Sequence, residues 1–234
     1  MTPKNTATRE EWLIDRRILL EKEKAHTREK DAISEARRSL PWVKIEEDYV
    51  FETDAGSATL RELFGENSQL IVYHFMFGQD WEGGCKSCSF WADSFEGLPS
   101  HLNARDISFI AVSRAPMSKL APFKKRMGWS FTWVSSALNA FNADFHVGFG
   151  PGQLRDEPVT YNFREFDSDD VDEMHGTSVF VIGDDGNIYH TYSTYGRGLD
   201  ITNAAYSYID MTPKGRHEPA KGNPMAWVRH HDSY

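Results

Sequence analysis

Gly83-Gly84-Cys85-Lys86-Ser87-Cys88 contains both cysteines of the 234-residue chain. An apolar run, Leu70-Ile71-Val72-Tyr73-His74-Phe75-Met76-Phe77, stands ahead of it, followed by a loop over 78–84. Behind it, Ser89-Phe90-Trp91-Ala92-Asp93-Ser94-Phe95 has the texture of a helix. Two cysteines three apart at a strand–loop–helix junction form a redox motif. A sulfur at the first helical turn faces unsatisfied backbone N–H groups and the positive end of the helix dipole, and both favour thiolate over thiol. Cys85 is therefore the expected nucleophile. Cys88, one turn later on the same face, can close a disulfide with it. Lys86 adds positive charge nearby, and Asp80 and Glu82 oppose it. Two other readings of the pair stay open: half of a zinc site completed by histidines such as His74, His101 or His175, or small buried residues with no chemistry.

The length fits one enlarged domain with appendages and is ample for a core. The net charge of −9 disfavours generic nucleic-acid binding. Its distribution is uneven: residues 1–40 hold ten Lys and Arg against eight Asp and Glu, leaving 16 against 27 in the remainder. The start, Met1-Thr2-Pro3-Lys4-Asn5, does not read as a signal peptide, and no apolar run is long enough to span a bilayer. Two cysteines are too few for a secreted disulfide scaffold. The expectation is a cytoplasmic protein with no membrane or nucleic-acid partner.

Outward from the cysteines, the pattern predicts a long helix over 7–39, with Thr8 and Glu11 as a capping box and Pro41 as its stop. Trp12, Leu19, His26, Ile33 and Leu40 recur every seven residues, which suits either a homodimer through this helix or a helix laid on its own domain. A hairpin is expected over 49–60, a strand over 69–77, one helix from the cysteines to about 103, and a strand over 106–113. A helix opened by Pro116, a strand over 131–134 and a short helix over 137–144 follow. Residues 146–174 interrupt the rhythm with Gly148, Gly150, Pro151 and Gly152, a single peripheral strand over 158–166 and an acidic run over 167–173 that reads as a solvated loop. A second hairpin over 177–192 and a helix over 199–209 close the domain.

This order predicts an α/β, thioredoxin-like fold: a mixed central sheet flanked by helices, with a long N-terminal helix and an insertion before the last hairpin. The expected organisation is an N-terminal helical extension at 1–41, a thioredoxin-like domain at 42–211 with its insertion at about 146–174, and a tail at 212–234 packed on that domain. The cysteines fall at the carboxyl end of a central strand, where open α/β sheets place their sites.

Several blocks also carry a resemblance over nearly the whole chain. They are Glu11-Trp12, Leu19-Leu20, Glu23-Lys24, Leu40-Pro41-Trp42, Cys85 to Asp93, Tyr192-Ser193-Thr194-Tyr195-Gly196-Arg197-Gly198, Pro213-Lys214-Gly215-Arg216 and Trp227 to Tyr234. On these the chain resembles a family of thioredoxin-like proteins catalogued as a domain of unknown function and labelled predicted dithiol-disulfide oxidoreductases. The resemblance implies the fold and the class of activity, and no substrate. Ordinary thioredoxins read Trp-Cys-Gly-Pro-Cys and set a cis-proline before the first hairpin strand; here Gly84 precedes Cys85, and His175-Gly176-Thr177 takes the proline's place.

The expected site is thus Cys85 as nucleophile and Cys88 as resolving thiol, with Lys86, Ser87, His74, His175, Gly176, Tyr195 and Arg197 as candidate neighbours. Arg197 could hold an anionic substrate or pair with the acidic run over 167–172. No cofactor or metal is expected; His230-His231 is a poor metal signal, since adjacent residues rarely face one ion. The expected function is thiol–disulfide exchange on a thiol or disulfide substrate. A peroxiredoxin-like reduction of peroxide ranks lower, because residues 78–84 contain no Thr, Ser or Pro. The non-catalytic alternative is a metal-binding or redox-sensing module with a partner-binding N-terminal helix.

Overall fold

A computed structural model describes residues 5–149, 159–166 and 172–234. The chain divides into two compact units, Met1–Pro41 and Trp42–Tyr234. The first is built on helix α1 (Arg9–Arg38). Its capping box forms: Thr8 Oγ1 accepts from Glu11 N at 3.2 Å, and the Glu11 carboxylate accepts from Thr8 N at 2.8 Å. Glu10 and Glu11 in the first turn and Arg37 and Arg38 in the last complement the helix dipole. Trp12, Leu19, Ile33 and Leu40 are all exposed.

The second unit contains strands β1 (Val43–Lys44), β2 (Val50–Thr53), β3 (Gly56–Thr59), β4 (Gln69–His74), β5 (Ile107–Ser113), β6 (Thr132–Ser135), β7 (Val159–Tyr161), β8 (Arg164–Phe166), β9 (Gly176–Ile182) and β10 (Ile188–Tyr195). Its helices are α2 (Lys86–Ala92), α3 (Leu98–Asn103), α4 (Met117–Arg126), α5 (Phe141–Asp144) and α6 (Ala204–Asp210). Eight strands form one sheet in the order β1-β10-β9-β4-β5-β6-β2-β3. β4, β5 and β6 run parallel, and β9 lies antiparallel beside β4, pairing His74 with Gly176. Parallel β4–β5, then the β9–β10 hairpin returning to the other side of β4, is the thioredoxin-like arrangement.

Alternation along β4 divides the core into two layers. Tyr73, Phe75 and Phe77 face one layer with Cys88, Trp91, Leu120, Phe123, Trp133 and Tyr206. Leu70 and Val72 face the other with Phe51, Phe64, Phe141, Phe145 and Phe180.

Several expectations change. The helix from the cysteines to 103 is two helices, because Pro99 in the first turn of α3 has no N–H with which to continue a helix from α2. The 158–166 stretch is a hairpin, β7–β8, that turns at Asn162 and Phe163 with φ of 50° and 61°. The closing helix is a 3₁₀ turn, Gly196–Thr202, followed by α6, with Asn203 capping the latter through its side chain. Gly150 to Pro158 and Asp167 to Val171 lie outside the described residues.

His74 is fully buried, with its ring stacked on Phe141 at 5.5 Å. Its Nε2 meets Ser178 Oγ at 2.9 Å, and Nδ1 has no partner among the described residues. Burial, with His190 nearby, pushes its pKa from 6.5 down to about 3. Between those values the unfolded chain takes up a proton that the folded one refuses, so stability is lost as pH falls from about 6.5 towards 3. His74→Gln is expected to remove up to about 1.4 kcal/mol per pH unit from that slope, as measured by urea unfolding at a series of pH values; an unchanged slope contradicts the assignment.

Candidate active site

The chain stays bound to the sheet after β4: Phe75 N donates to Val112 O at 2.9 Å, and Phe77 O accepts from Ala115 N at 2.8 Å. The loop over 78–84 is then tied down along its length. Lys119 Nζ donates to Gln79 O at 2.7 Å and Trp81 O at 3.0 Å, and Trp81 Nε1 donates to Asp172 Oδ1 at 3.1 Å. At its end, a Cβ on Gly84 would stand 2.8 Å from the Phe75 ring and 2.9 Å from the Phe123 ring. Only glycine lets the backbone lie this close to those rings.

Both cysteines are held by one residue. Cys85 N donates to Met76 O at 3.0 Å, and Met76 N donates to Cys88 Sγ at 3.4 Å. Cys85 is the N-cap of α2, and its carbonyl accepts from Ser89 N at 2.9 Å. Both thiols are free, with Cys85 partly exposed and Cys88 buried. The pKa of Cys85 is lowered to about 7, first by a hydrogen bond from the Cys88 thiol, with burial opposing, and then by the backbone N–H groups of Cys88 and Ser87 and the Ser87 hydroxyl. Burial pushes the Cys88 thiol well up, and its hydrogen bond to Cys85 pushes the same way. The two sulfurs are thus unequal, one accessible and acidic, the other enclosed and protonated.

The expected neighbours separate. Ser87 joins the site, whereas Lys86 is exposed and is not among the leading causes of the Cys85 shift. His74 faces the opposite layer from the cysteines and is a hydrogen-bonded core residue. The His175 ring lies 6.0 Å from that of Trp91, one turn beyond Cys88, and burial lowers its pKa against a hydrogen bond to the Gly196 backbone. The described residues contain no cis peptide bond, so His175-Gly176 does not reproduce the proline geometry of thioredoxins. Gly176 has no unusual φ; it is required because a Cβ there would meet the Tyr195 ring at 2.8 Å. Tyr195 itself donates to Phe145 O at 3.0 Å. Arg197 is exposed and pairs with Asp200 at 3.1 Å.

Other residues of the site carry no motif. Tyr161 donates to His175 O at 2.9 Å and accepts from Gly196 N at 2.9 Å, and its charge environment includes Cys88. The tail reaches the cysteine loop: His230 Nε2 donates to Gly84 O at 3.0 Å, Arg126 pairs with Asp232 at 2.8 Å, and His231 Nδ1 meets Asp93 Oδ1 at 2.7 Å. The acidic run does not end as a solvated loop, since Glu173 is fully buried 3.2 Å from Arg114. Burial raises the Glu173 pKa to about 8, with Arg114 opposing. Among the described residues no group of three or more His, Cys, Asp or Glu side chains converges as a metal site, and no helix is long and apolar enough to cross a membrane.

Fold and cysteine pair together define a thioredoxin-like α/β protein with a Cys-x-x-Cys sequence where a central strand passes to a helix. Across residues 1–234 the chain matches the family described as "Bacterial protein of unknown function (DUF899)", and it belongs to that family. It is also similar to peroxidoxin BcpB from Mycobacterium tuberculosis, at 16% identity and a TM-score of 0.47, over 73% of this chain and 97% of that one. A cysteine-to-serine mutant of peroxiredoxin Q from Xanthomonas campestris matches at 14% and 0.47, over 72% and 98%. A putative thiol:disulfide interchange protein DsbE from Chlorobium tepidum matches at 13% and 0.42, over 71% and 98%. No curated protein matches the chain.

Gly84→Ala is expected to lower stability by about 1–3 kcal/mol, as overpacked cores do, because the new methyl must displace Phe75 or Phe123. Urea titration followed by tryptophan fluorescence measures this; an unchanged midpoint would mean that the rings yield freely.

Proposed function

We propose that the protein is a thiol–disulfide oxidoreductase in which Cys85 is the nucleophile and Cys88 the resolving thiol. The observation that supports this most is the inequality of the two sulfurs, with the accessible one lowered to about pH 7 and the buried one raised. A thiol with a pKa near ambient pH combines a useful thiolate fraction with retained nucleophilicity. The Cys85 thiolate attacks one sulfur of a substrate disulfide, the substrate S–S bond breaks, and one substrate thiolate leaves. Cys88 then loses its proton to solvent and attacks the Cys85 sulfur, which expels the second thiolate and closes the 85–88 disulfide. The chain has given up two electrons, and the substrate has become two thiols. In the reverse sense the same pair oxidises a dithiol.

The substrate is a protein or small-molecule thiol or disulfide, and the protein works in the reducing cytoplasm, where the pair rests as two thiols. The exposed Trp12, Leu19 and Ile33 on α1, with Leu40 just beyond its end, support self-association through that helix.

Alkylation of the reduced protein is expected to modify Cys85 first, with a rate that rises through a midpoint near pH 7. Cys85→Ser should abolish disulfide reduction, and Cys88→Ser should accumulate a mixed disulfide on Cys85 that mass spectrometry detects. Full activity in Cys85→Ser, or stoichiometric zinc with unreactive thiols in the purified protein, overturns this reading.

A further inference from the structure

Tyr73 stands on β4 with its ring held by Phe95 at 5.0 Å and Phe75 at 6.3 Å. Only 2% of the residue is exposed, and among the described residues its hydroxyl has no partner at hydrogen-bonding geometry. That hydroxyl shares a buried cluster with Cys88 and makes a weak hydrogen-bonding contact with its sulfur, one that pushes the tyrosine pKa up and the thiol pKa down without reaching good geometry. A buried hydroxyl whose nearest acceptor is a neutral thiol at poor geometry is under-satisfied and opposes folding, and phenylalanine would fill the same space without that penalty. Neighbouring polar groups are already committed: Met76 N–H donates to Cys88 Sγ, and the Tyr161 hydroxyl donates to His175 O. The Cys88 thiol is already engaged with Cys85, whose pKa it lowers. In the resting dithiol the Cys88 sulfur is thus a neutral, weak acceptor, and Tyr73 has nothing strong to bind.

The demand changes during exchange. When Cys88 resolves a mixed disulfide, its sulfur becomes anionic inside a hydrocarbon layer, where an unsupported charge is costly. We propose that Tyr73 is a further catalytic residue, a hydrogen-bond donor that meets the neutral Cys88 sulfur only weakly and out of line in the dithiol and tightens onto it as it ionises. This rests on the roles given to Cys85 and Cys88 above. Tyr73 keeps its own proton throughout. The Cys88 proton goes to solvent, the Cys88–Cys85 S–S bond forms, the bond from Cys85 to the substrate sulfur breaks, and the substrate thiolate leaves with the electron pair. In the reverse direction the same hydroxyl supports Cys88 as the leaving thiolate.

The test mixes reduced full-length protein with one equivalent of an aromatic disulfide that releases a coloured thiolate at each step. In stopped flow the first release reports attack by Cys85 and the second reports resolution by Cys88. Tyr73→Phe is expected to leave the first release within about twofold and to slow the second about tenfold, the scale of one lost hydrogen bond to a charged group. Its melting temperature should be unchanged or higher, because an under-satisfied hydroxyl has been removed. Replacing Tyr73 with 3-fluorotyrosine, a stronger donor of nearly the same shape, should accelerate the second release and leaves a test if the phenylalanine variant does not fold. A second release at the wild-type rate in both proteins overturns the proposal. Failure of the underlying reading appears elsewhere: the wild-type protein would show no first release, or one that survives Cys85→Ser.

Discussion

Met76 offers its carbonyl to the Cys85 amide and its amide to the Cys88 sulfur. One residue, two positions past the end of β4, therefore fixes where α2 begins and how deep its first turn lies. The rest follows from that clamp. Cys85 must cap the helix at the rim of the sheet, and Cys88, one turn on, must point down into the aromatic layer beneath it. The inequality of the two thiols is a geometrical consequence. The sulfur at the cap collects N–H groups and the neighbouring thiol proton, while the sulfur in the layer meets mostly hydrocarbon.

Such a clamp works only if the loop between Met76 and Cys85 cannot drift. The molecule holds it from three sides, by the Lys119 ammonium on two loop carbonyls, by Asp172 on the Trp81 indole, and by His230 on the Gly84 carbonyl. The His230 ring is itself fixed, edge-on to Phe123 at 5.4 Å and with Arg126 3.4 Å from its other nitrogen. That contact assigns the ring tautomer: Nδ1 accepts from arginine, so Nε2 carries the proton given to Gly84.

The sequence discloses those features that depend on local pattern. The capping box of α1 is written in Thr8 and Glu11, the apolar run of β4 in its alternation, and the cysteine junction in its spacing. The residues it hides act across the chain. Tyr73 reads as one more aromatic in a strand, and nothing local says that its hydroxyl ends near a sulfur fifteen positions away. His230 and Asp232 sit in a tail without periodicity, and their value comes from Gly84 and Arg126, more than a hundred residues earlier. Gly176 is legible as a glycine in a telling place but for the wrong reason, since a ring from the next strand, not backbone freedom, excludes a side chain there. His74 is not the site neighbour that its position suggests, because adjacency in a strand brings alternate residues to opposite faces. Glu173 escapes the pattern because an acidic run looks solvated until a partly buried guanidinium is known to wait for its last member.

The two layers of the core divide the work of the polar groups they contain. In the layer opposite the cysteines, His74, Ser178, Ser193 and His190 form a continuous chain of contacts of 2.7 to 2.9 Å. It binds β4, β9 and β10 to one another through side chains. In the cysteine layer Tyr73 breaks this habit of well-paired hydroxyls, meeting only the Cys88 sulfur and that at poor geometry. A sheet that links hydroxyls on one face has left one donor loosely held on the face where the proposed exchange would make and remove a charge. An environment fully satisfied in the dithiol state would have to break a bond to receive a thiolate. If Cys88 resolves as proposed, the receiving group is already in place when the sulfur ionises.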